Sequence, residues 1–459
     1  AGLYATTTDD CIAIGYSALQ AADSAGDNSD NATGNYNIAI GSYSLDATTS
    51  GNQNIAIGYQ SGTAITNNYD NVSIGHRAFA NANDGENYNV AIGSFALNTE
   101  TSGTDGNVAV GYYALKTQNG GGQNTAVGFQ AAKALTNATK GVFVGYNAAG
   151  SGTVTGDYNT VLGHSTGFDL TTGASNTLVG ANAGGNLTDS SNNVAIGYNA
   201  LLYAASGVTQ HVAIGSSALE NETTGADGCI AIGYRALLGQ NGNVGNVGVG
   251  WEALFHNKLG TGSTAGTSAG YANTDNYNTW VGHEAGRNTG NAANNTVLGY
   301  RAYKSSSFSN GTCETTTSST TVEVDSTSNI LAGQSVFGNG IPYGNYVASV
   351  TDATHFELAI ASTQTHSSGV TLTFHQGTGD SNTCIGFKAG EVITTGYENV
   401  IIGKGAGQLM TNNAANVAIG YLALDAANGN ENYNVAIGSA AMSSETSGAA
   451  YCVAIGKDA

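Results

Sequence analysis

The sequence repeats one short motif, and this repetition constrains the fold more than any other feature. The segment NVAIGSFAL at 89–97 returns with small changes at 37–45, 107–115, 193–201, 229–237 and 416–424. Aligned on its glycine, the motif occurs 22 times at spacings of 16–18 residues, apart from a first step of 26 and a gap after Gly299. Self-similarity at one short period is typical of a solenoid. We therefore expect an all-β fold in which each repeat forms one coil of a parallel β-solenoid or β-roll.

Each position of the repeat has a physical interpretation. The residues three and one before the glycine are aliphatic or threonine, with alanine usually between them, as in Val90, Ala91 and Ile92. This alternation predicts a short strand with one buried face, and we assign the aliphatic residues to the interior. A third inward apolar residue stands four residues after the glycine, as Leu97, or often seven after it where glycine or alanine stands at four, as Ile65. The coils around Gly145, Gly266 and Gly282 do not follow this pattern. One such coil buries few apolar groups, so neighbouring coils must stack.

Asparagine and glycine columns predict contacts between neighbouring coils. The residue four before the glycine is usually asparagine, and stacked asparagine side chains form ladders along cross-β structures. The predicted ladder residues are Asn37, Asn54, Asn71, Asn89, Asn107, Asn124, Asn159, Asn176, Asn193, Asn399, Asn416 and Asn434. The glycine permits a turn with positive φ that a side chain would oppose. The predicted turn glycines include Gly15, Gly41, Gly58, Gly75, Gly93, Gly111 and Gly128.

Composition excludes some classes of protein. The 459 residues include 67 glycines, one proline and only 10% charged residues, which is typical of low-complexity chains, but the strict period argues against disorder. A net charge of −20 argues against a nucleic-acid partner, because phosphate binding needs clustered lysine and arginine. No apolar run approaches the roughly 18 residues of a membrane span, so no membrane insertion is predicted. No signal peptide is visible, and the first residue is alanine, which indicates a processed form or a fragment.

A segment of different texture interrupts the repeat. It contains β-branched runs separated by glycine, asparagine and aspartate, and it holds the only proline, Pro342. We therefore predict a solenoid array at 1–303 and 381–459, with an inserted small β domain at 304–380. Strands of the insert are expected near 320–324, 346–350, 355–358 and 370–374. Two interpretations stay open, a side-mounted ligand-binding module and a decoration or lateral contact within an assembly.

The motif NVAIG, followed by small residues and alanine, resembles the head repeats of trimeric autotransporter adhesins. The resemblance implies left-handed parallel β-rolls in homotrimers that project from bacterial surfaces and bind host matrix. Similar repeats occur in phage tail-fibre proteins and in other extracellular fibres. The period of 16–18 residues is longer than that of the adhesin heads, and no coiled-coil stalk or membrane anchor is visible in this sequence.

The two ends of the array predict a head-to-tail junction. The last motif stops three residues after Gly456, and joining the last residue to the first residue of a second copy restores a spacing of 18. Such a heterologous contact does not close, and it builds a filament. Cys11 and Cys452 both occupy the asparagine column, where adjacent coils about 4.8 Å apart lie within disulfide range. They are candidates for an intersubunit disulfide, against the alternative of two thiols tolerated in a polar column.

Few residues suggest chemistry. No nucleophile elbow, phosphate loop or zinc-ligand spacing is present, so we expect neither an enzyme nor a cofactor. The acidic loop at 22–31 carries Asp23, Asp27 and Asp30, which are weak candidates for calcium ligands because hard cations favour clustered carboxylates. A solvated acidic loop is the alternative. Cys313 and Cys384 flank the insert and are candidates for a bridge at its base.

The position after the glycine is often aromatic, as in Tyr112, Phe129 and Tyr146. An exposed aromatic row could stack on sugar rings. Alternatively, the rings pack between coils or between chains, because aromatic groups supply large buried area.

Three functions are consistent with the sequence. The first is a structural subunit of an extracellular or virion-surface fibre that associates with itself, head to tail or as a homotrimer. The second is an adhesin or phage receptor-binding tail fibre whose insert binds surface glycan. The third is a tailspike-type polysaccharide depolymerase, which ranks last because it needs paired carboxylates and the repeats supply no regular carboxylate column. The 22 motifs, at about 4.8 Å per coil, predict a rod on the order of 100 Å.

Overall fold

A computed structural model gives the fold of most of the chain. The described residues are 10–20, 34–82, 85–100, 105–204, 206–222, 227–239, 245–255, 262–266, 269–270, 277–289, 292–305, 307–332, 334–342, 345–375, 379–427, 431–444 and 448–459. The chain divides into two units, Ala1–His211 and Val212–Ala459, and each is described by itself. In the described ranges every regular element is a β-strand, which confirms the all-β class.

Unit one contains fourteen strands in its described residues. They are β1 (Ile12–Ile14), β2 (Ile38–Ile40), β3 (Ile55–Ile57), β4 (Val72–Ile74), β5 (Val90–Ile92), β6 (Thr99–Glu100), β7 (Val108–Val110), β8 (Thr117–Asn119), β9 (Thr125–Val127), β10 (Ala134–Thr136), β11 (Val142–Val144), β12 (Thr160–Leu162), β13 (Thr177–Val179) and β14 (Val194–Ile196). Eleven of them end at the residue before a motif glycine, and we call these the coil strands. The other three, β6, β8 and β10, form a small parallel sheet of their own.

Unit two contains seventeen strands in its described residues. They are β15 (Val212–Ile214), β16 (Ile230–Ile232), β17 (Val247–Val249), β18 (Gly262–Ala265), β19 (Asn278–Val281), β20 (Thr296–Leu298), β21 (Ser307–Thr315), β22 (Thr321–Glu323), β23 (Ser335–Phe337), β24 (Val347–Val350), β25 (His355–Leu358), β26 (His366–His375), β27 (Thr383–Ile385), β28 (Val400–Ile402), β29 (Val417–Ile419), β30 (Val435–Ile437) and β31 (Val453–Ile455). The coil strands are β15–β20 and β27–β31, and the six others form the insert.

Coil strands pair in parallel and in register within each unit. In unit one, Ile38 lies opposite Ile55 and Ala39 opposite Ala56, so equal positions of successive motifs are neighbours. In unit two, β20 pairs with β27 in the same register, and the solenoid continues across the insert. Each column of the sequence alignment is therefore a column in space. The predicted parallel β-solenoid with a 16–18-residue period is confirmed.

The interior of a coil is the reverse of the predicted one. Ala91, at the centre of β5, is fully buried, whereas Val90 is partly exposed and Ile92 is 37% exposed. The same alternation holds in the other coil strands whose burial is described, except that β1 and β31 leave their central alanine half-buried. The assignment of the aliphatic residues to the interior was therefore wrong. The reason is space: Leu97 and Asn89 also lie fully buried in this coil, and a methyl group fills what remains.

Interior positions exchange volume with one another. A Cβ added to Gly407, four residues after a motif glycine, would lie 3.3 Å from Ile401 at the centre of its strand. Large residues at four other strand centres also coincide with glycine or alanine at this position, as Phe143 does with Ala149, whereas Ala91 coincides with Leu97 and Val297 is an exception that coincides with Tyr303. The predicted exchange with the position seven after the glycine is also confirmed. Ile65, an apolar residue at that position, is fully buried.

The insert is a six-stranded antiparallel sheet with the order β23-β26-β21-β22-β25-β24. Its apolar core consists of Cys313, Val322, Val324, Ile330, Val336, Val347, Phe356, Leu358, Leu372 and Phe374. The four predicted strands correspond to β22, β24, β25 and β26, whereas β21 and β23 were missed. The boundaries at 304 and 380 stay predictions, and the inserted strands extend from Ser307 to His375.

Candidate functional site

The outer surface of the coil strands is an uncharged aliphatic surface, which we call the aliphatic face. In unit one it consists of the residues three and one before each motif glycine. In unit one the second of these positions is isoleucine, valine or leucine in all eleven coil strands, and the first is isoleucine, valine or threonine. Leu162 is 45% exposed, and Ile92 is exposed to a similar degree. Large exposed apolar patches mark interaction sites, so the aliphatic face is a candidate contact surface.

Aromatic residues after the motif glycine stack on one another. The ring centroids of Phe129 and Tyr146 are 5.1 Å apart, with planes at 7°. Tyr146 and His164 follow at 5.1 Å and 8°. Tyr112 stacks on the other side of Phe129. The rings of Phe129 and Tyr146 therefore stack on neighbours in adjacent coils, which is the predicted packing between coils, and their side chains stay 39% and 48% exposed.

The asparagine column is a buried hydrogen-bonded ladder. The backbone amide of Asn54 donates to Oδ1 of Asn37 at 2.9 Å, and Oδ1 of Asn54 accepts from the amide of Asn71 at 3.1 Å. Nδ2 of Asn54 donates to the Asn68 carbonyl at 2.8 Å. All twelve predicted ladder asparagines are buried. Each one links its own coil to the next, so buried polar groups hold the register of the stack.

One coil lacks the ladder side chain and keeps the ladder bond. Gly141 stands in the asparagine column, and its amide donates to Oδ1 of Asn124 at 2.8 Å. A Cβ at Gly141 would lie 2.5 Å from the ring of Phe143, which replaces the usual alanine at the strand centre. The phenylalanine thus fills the space of the missing asparagine.

The turn glycines combine an unusual backbone conformation with a close contact. The seven predicted turn glycines have φ between +130° and +138°, where L side chains are strained. A Cβ at Gly93 would also lie 2.6 Å from the carbonyl oxygen of Gly111 in the next coil. Both requirements exclude any residue with a side chain.

Cys11 and Cys452, two cysteines of the ladder column, lie in different units. Sγ of Cys11 accepts a hydrogen bond from the Asn37 amide at 3.3 Å, in the manner of a ladder oxygen. The amide of Cys452 donates to Oδ1 of Asn434 at 2.9 Å, and its side chain is exposed. The predicted bridge between these cysteines of two subunits stays a prediction.

The predicted bridge at the base of the insert is wrong. Cys313 and Cys384 form no disulfide. Cys313 lies in the core of the insert, and Cys384 is fully buried at the centre of β27. Burial raises the pKa of the Cys313 thiol to about 12, which makes it unreactive.

Asp23, Asp27 and Asp30, the calcium candidates, lie outside the described residues. Within the described ranges, no group of three or more histidine, cysteine, aspartate or glutamate side chains could hold a metal ion.

A polar cleft of about 230 Å³ lies on the insert. Glu314, Glu323 and His355 are neighbours across β21, β22 and β25, because the antiparallel register places each opposite the next. Hydroxyl groups surround them. The residues that line the cleft are Glu314, Thr315, Thr316, Ser319, Thr321, Glu323, His355, Thr365, His366 and Ser367. Carboxylates, imidazoles and hydroxyls in one concavity can bind a polar, hydroxylated ligand.

The histidine of this cleft is paired with an aspartate. Nδ1 of His355 lies 2.9 Å from Oδ1 of Asp352, which also accepts from the Thr354 amide at 2.7 Å. The Thr354 amide and then His355 lower the pKa of Asp352 to about 2. The hydrogen bond to Asp352 in turn raises the pKa of His355. The cleft therefore holds an imidazolium over a wider pH range than an isolated histidine would.

The sequence did not predict this cleft, and the aliphatic residues were wrongly assigned to the interior of the coil. A signal for the face was present, since most coils with alanine at the strand centre have leucine four residues after the glycine, as at Leu97. The cleft depends on the pairing of β21, which the sequence did not predict.

Comparison of the chain with protein-family models, curated proteins and solved structures finds no match. Among the described residues, no helix has the length and hydrophobicity needed to cross a membrane. The structure itself shows a β-solenoid of stacked coils.

Proposed function

We propose that this protein is a structural subunit of an extracellular or virion-surface fibre, and that its copies associate through the aliphatic face. The observation that carries the proposal is the uncharged aliphatic composition of this face in every coil of unit one. A chain with a net charge of −20 would otherwise repel its copies. The aliphatic face is where two copies can approach without opposing charges.

The stacked coils support a mechanical role. Ladder asparagines and turn glycines serve the contacts between coils, and few residues remain for chemistry. The resemblance to trimeric adhesin heads and tail fibres favours a homotrimer or filament of this chain outside the cell, with neither nucleic acid nor enzymatic activity involved. The observations that support this role are thus structural and concern self-association.

Charged substitutions on the aliphatic face test the proposal. Ile92→Glu combined with Leu162→Glu places carboxylates on two exposed positions of unit one. Asn67→Glu combined with Asn186→Glu is the control, because these asparagines are exposed on the polar part of the coil. We expect sedimentation velocity to show multi-chain particles for the wild type and the control and single chains for the face variant. Circular dichroism checks that all three are folded.

Two outcomes contradict the proposal. One is a wild-type protein that is a single chain at micromolar concentration. The other is a face variant that assembles as the wild type does. Cryo-electron microscopy of the assembled wild type then distinguishes continuous filaments from discrete trimers.

The cleft on the insert favours a second candidate function, an adhesin or receptor-binding fibre that recognises surface glycan. Its hydroxyl, carboxylate and imidazole groups are those that bind sugars through hydrogen bonds. The full-length protein and a variant with Glu314→Gln and Glu323→Gln are compared on a glycan array. Binding by the wild type that the variant loses supports this function, and equal binding or no binding by both contradicts it.

A further inference from the structure

Unit one contains a buried carboxylate that the coil architecture does not require. Glu100, in β6, and Gln118, in β8, occupy the same register on adjacent strands, and both side chains are fully buried. Oε1 of Glu100 accepts from Nδ2 of Asn107 at 3.2 Å, but Oε2 of Glu100 receives no hydrogen bond. Nε2 of Gln118 donates to Oδ1 of Asn107 and to the Gly121 carbonyl, whereas its Oε1 also receives none. Two register-paired residues thus each leave a buried acceptor without a donor.

The surroundings of Glu100 oppose a negative charge. Glu86, which is also fully buried, and Asp105 both repel an ionised Glu100. Lys116, the basic residue closest to Glu100 in the sequence, places its ammonium over the Tyr113 ring at 4.5 Å. Burial and the two carboxylates raise the pKa of Glu100 to about 9. An ionised carboxylate without a cation is among the most costly groups to bury.

A proton on Glu100 would remove its uncompensated charge and would also supply a donor for a buried acceptor. A protonated Glu100 carries no charge, and its O–H supplies a donor where Oε2 had none. The carboxamide oxygen of Gln118, on the adjacent strand, is an acceptor for such a donor. We propose that Glu100 holds a proton in the folded protein at neutral pH, and that this buried proton locks the neighbouring coils of unit one, which alkaline conditions then loosen. The stability of the contacts between these coils therefore depends on pH.

The segment that contains Glu86 and Glu100 occurs a second time in the chain. ENYNVAIGSFALNTETSG at 86–103 returns as ENYNVAIGSAAMSSETSG at 431–448, with both glutamates kept. In the second copy, Glu431 is fully buried and accepts from the Gly448 amide at 3.0 Å and from Asn413 at 2.6 Å. Its partner, residue 445, lies outside the described residues. Glu431 corresponds to Glu86, and residue 445 corresponds to Glu100, so the second copy shows that the first glutamate of the pair is again fully buried.

Hydrogen exchange from pH 5 to 10 tests the proposal. The amides of Thr99 and Thr117 report on these coils, because they donate to carbonyls of the next coil at 2.9 and 3.0 Å. Wild type is compared with Glu100→Gln, which keeps a donor and cannot ionise, and with Asp70→Asn, an exposed carboxylate of the same unit. At each pH, the opening constants are compared after correction for the intrinsic exchange rate.

A group with a raised pKa stabilises fully below its unfolded value, and that stabilisation is lost as pH rises to the folded value. The ratio of wild-type to Glu100→Gln opening constants should therefore rise about tenfold per pH unit above about pH 5 and level off near pH 9. Asp70→Asn should follow the wild type. An infrared band of a protonated carboxyl, present at pH 7 and lost above pH 9, is the second measurement and needs only wild-type protein.

A ratio of opening constants that rises with pH supports the proposal. If Glu100→Gln does not fold, the infrared band of a protonated carboxyl at pH 7 in the wild type supports it instead. A ratio that is constant with pH overturns it, as does the absence of the band at pH 7. A ratio that responds to calcium or to a chelator and not to pH also overturns it, because a cation then neutralises the site.

Discussion

The coils and the insert are both β-structure, but different contacts hold them together. In a coil, the interior contains a few side chains, and the bonds that matter run to the same residue type in the next coil, as from Asn54 to Asn71. The insert has strands of up to ten residues and one core of ten apolar residues of different types. A substitution in a coil column should therefore disturb the adjacent coils, whereas one in the insert should disturb its own sheet.

The largest expected effect of this difference concerns glycine. Gly93→Ala forces a Cβ to 2.6 Å from the Gly111 carbonyl oxygen at φ +130°, so we expect a loss of about 4 kcal/mol or more. Gly311→Ala in the insert is the matched control, because its Cβ would meet only Oγ1 of Thr371 at 3.5 Å. Amide exchange around each site measures the local free energy of opening. Equal losses at both sites would show that coil glycines are not special.

The sequence predicts the period, the coil strands and the ladder because a solenoid turns each sequence column into a spatial column. It does not predict which side of the strand is inside. Val90 and Ile92 share one face whichever face is buried, and only the volumes of Ala91 and Leu97 decide between the two. The missed strand β21 has polar residues and irregular register between Asn310 and Cys313, so it shows no alternation.

The exchange of interior volume predicts the next effect. Ile401→Ala removes a fully buried side chain at a strand centre and should cost about 3 kcal/mol. The Cβ of Gly407→Ala would lie 2.6 Å from Sδ of Met410 in both backgrounds. The substitution should still cost about 1 kcal/mol less in the Ile401→Ala background, because two Ile401 atoms that lie 3.3 Å from the added Cβ are then absent. A double-mutant cycle by urea unfolding measures this coupling. Gly405→Ala is the control, since its Cβ would meet Leu422 and should show no coupling.

A smaller effect is expected from the ladder. Asn399→Ala removes the oxygen that accepts from the amide and Nδ2 of Asn416, at 3.0 and 3.2 Å, and leaves these donors buried. We expect a loss of about 2 kcal/mol, together with faster exchange of the Asn416 amide in the next coil. Asn412→Ala, at an exposed position, should change neither quantity. Loss of protection confined to the coil of Asn399 would contradict a ladder that couples coils.

The smallest effect compares two carboxylates whose pKa is lowered to about 2, one in each region. Glu284, in a coil, is 6% exposed and bonds to Arg301 at 2.7 Å and to Lys304 at 3.1 Å. Asp352, in the insert, is solvent-exposed.

Stabilisation by a lowered pKa is present above the unfolded value, about 4.5 for glutamate, and is lost as pH falls towards 2. Glu284→Gln should therefore cost about 1 kcal/mol at pH 7 and little at pH 2, because the partly exposed cations Arg301 and Lys304 are screened by solvent although Glu284 itself is buried. Asp352→Asn should change the unfolding midpoint less at pH 7. Urea unfolding of both variants at the two pH values measures these losses. A greater loss from Asp352→Asn would show that burial of the ion pair is not what separates the two regions.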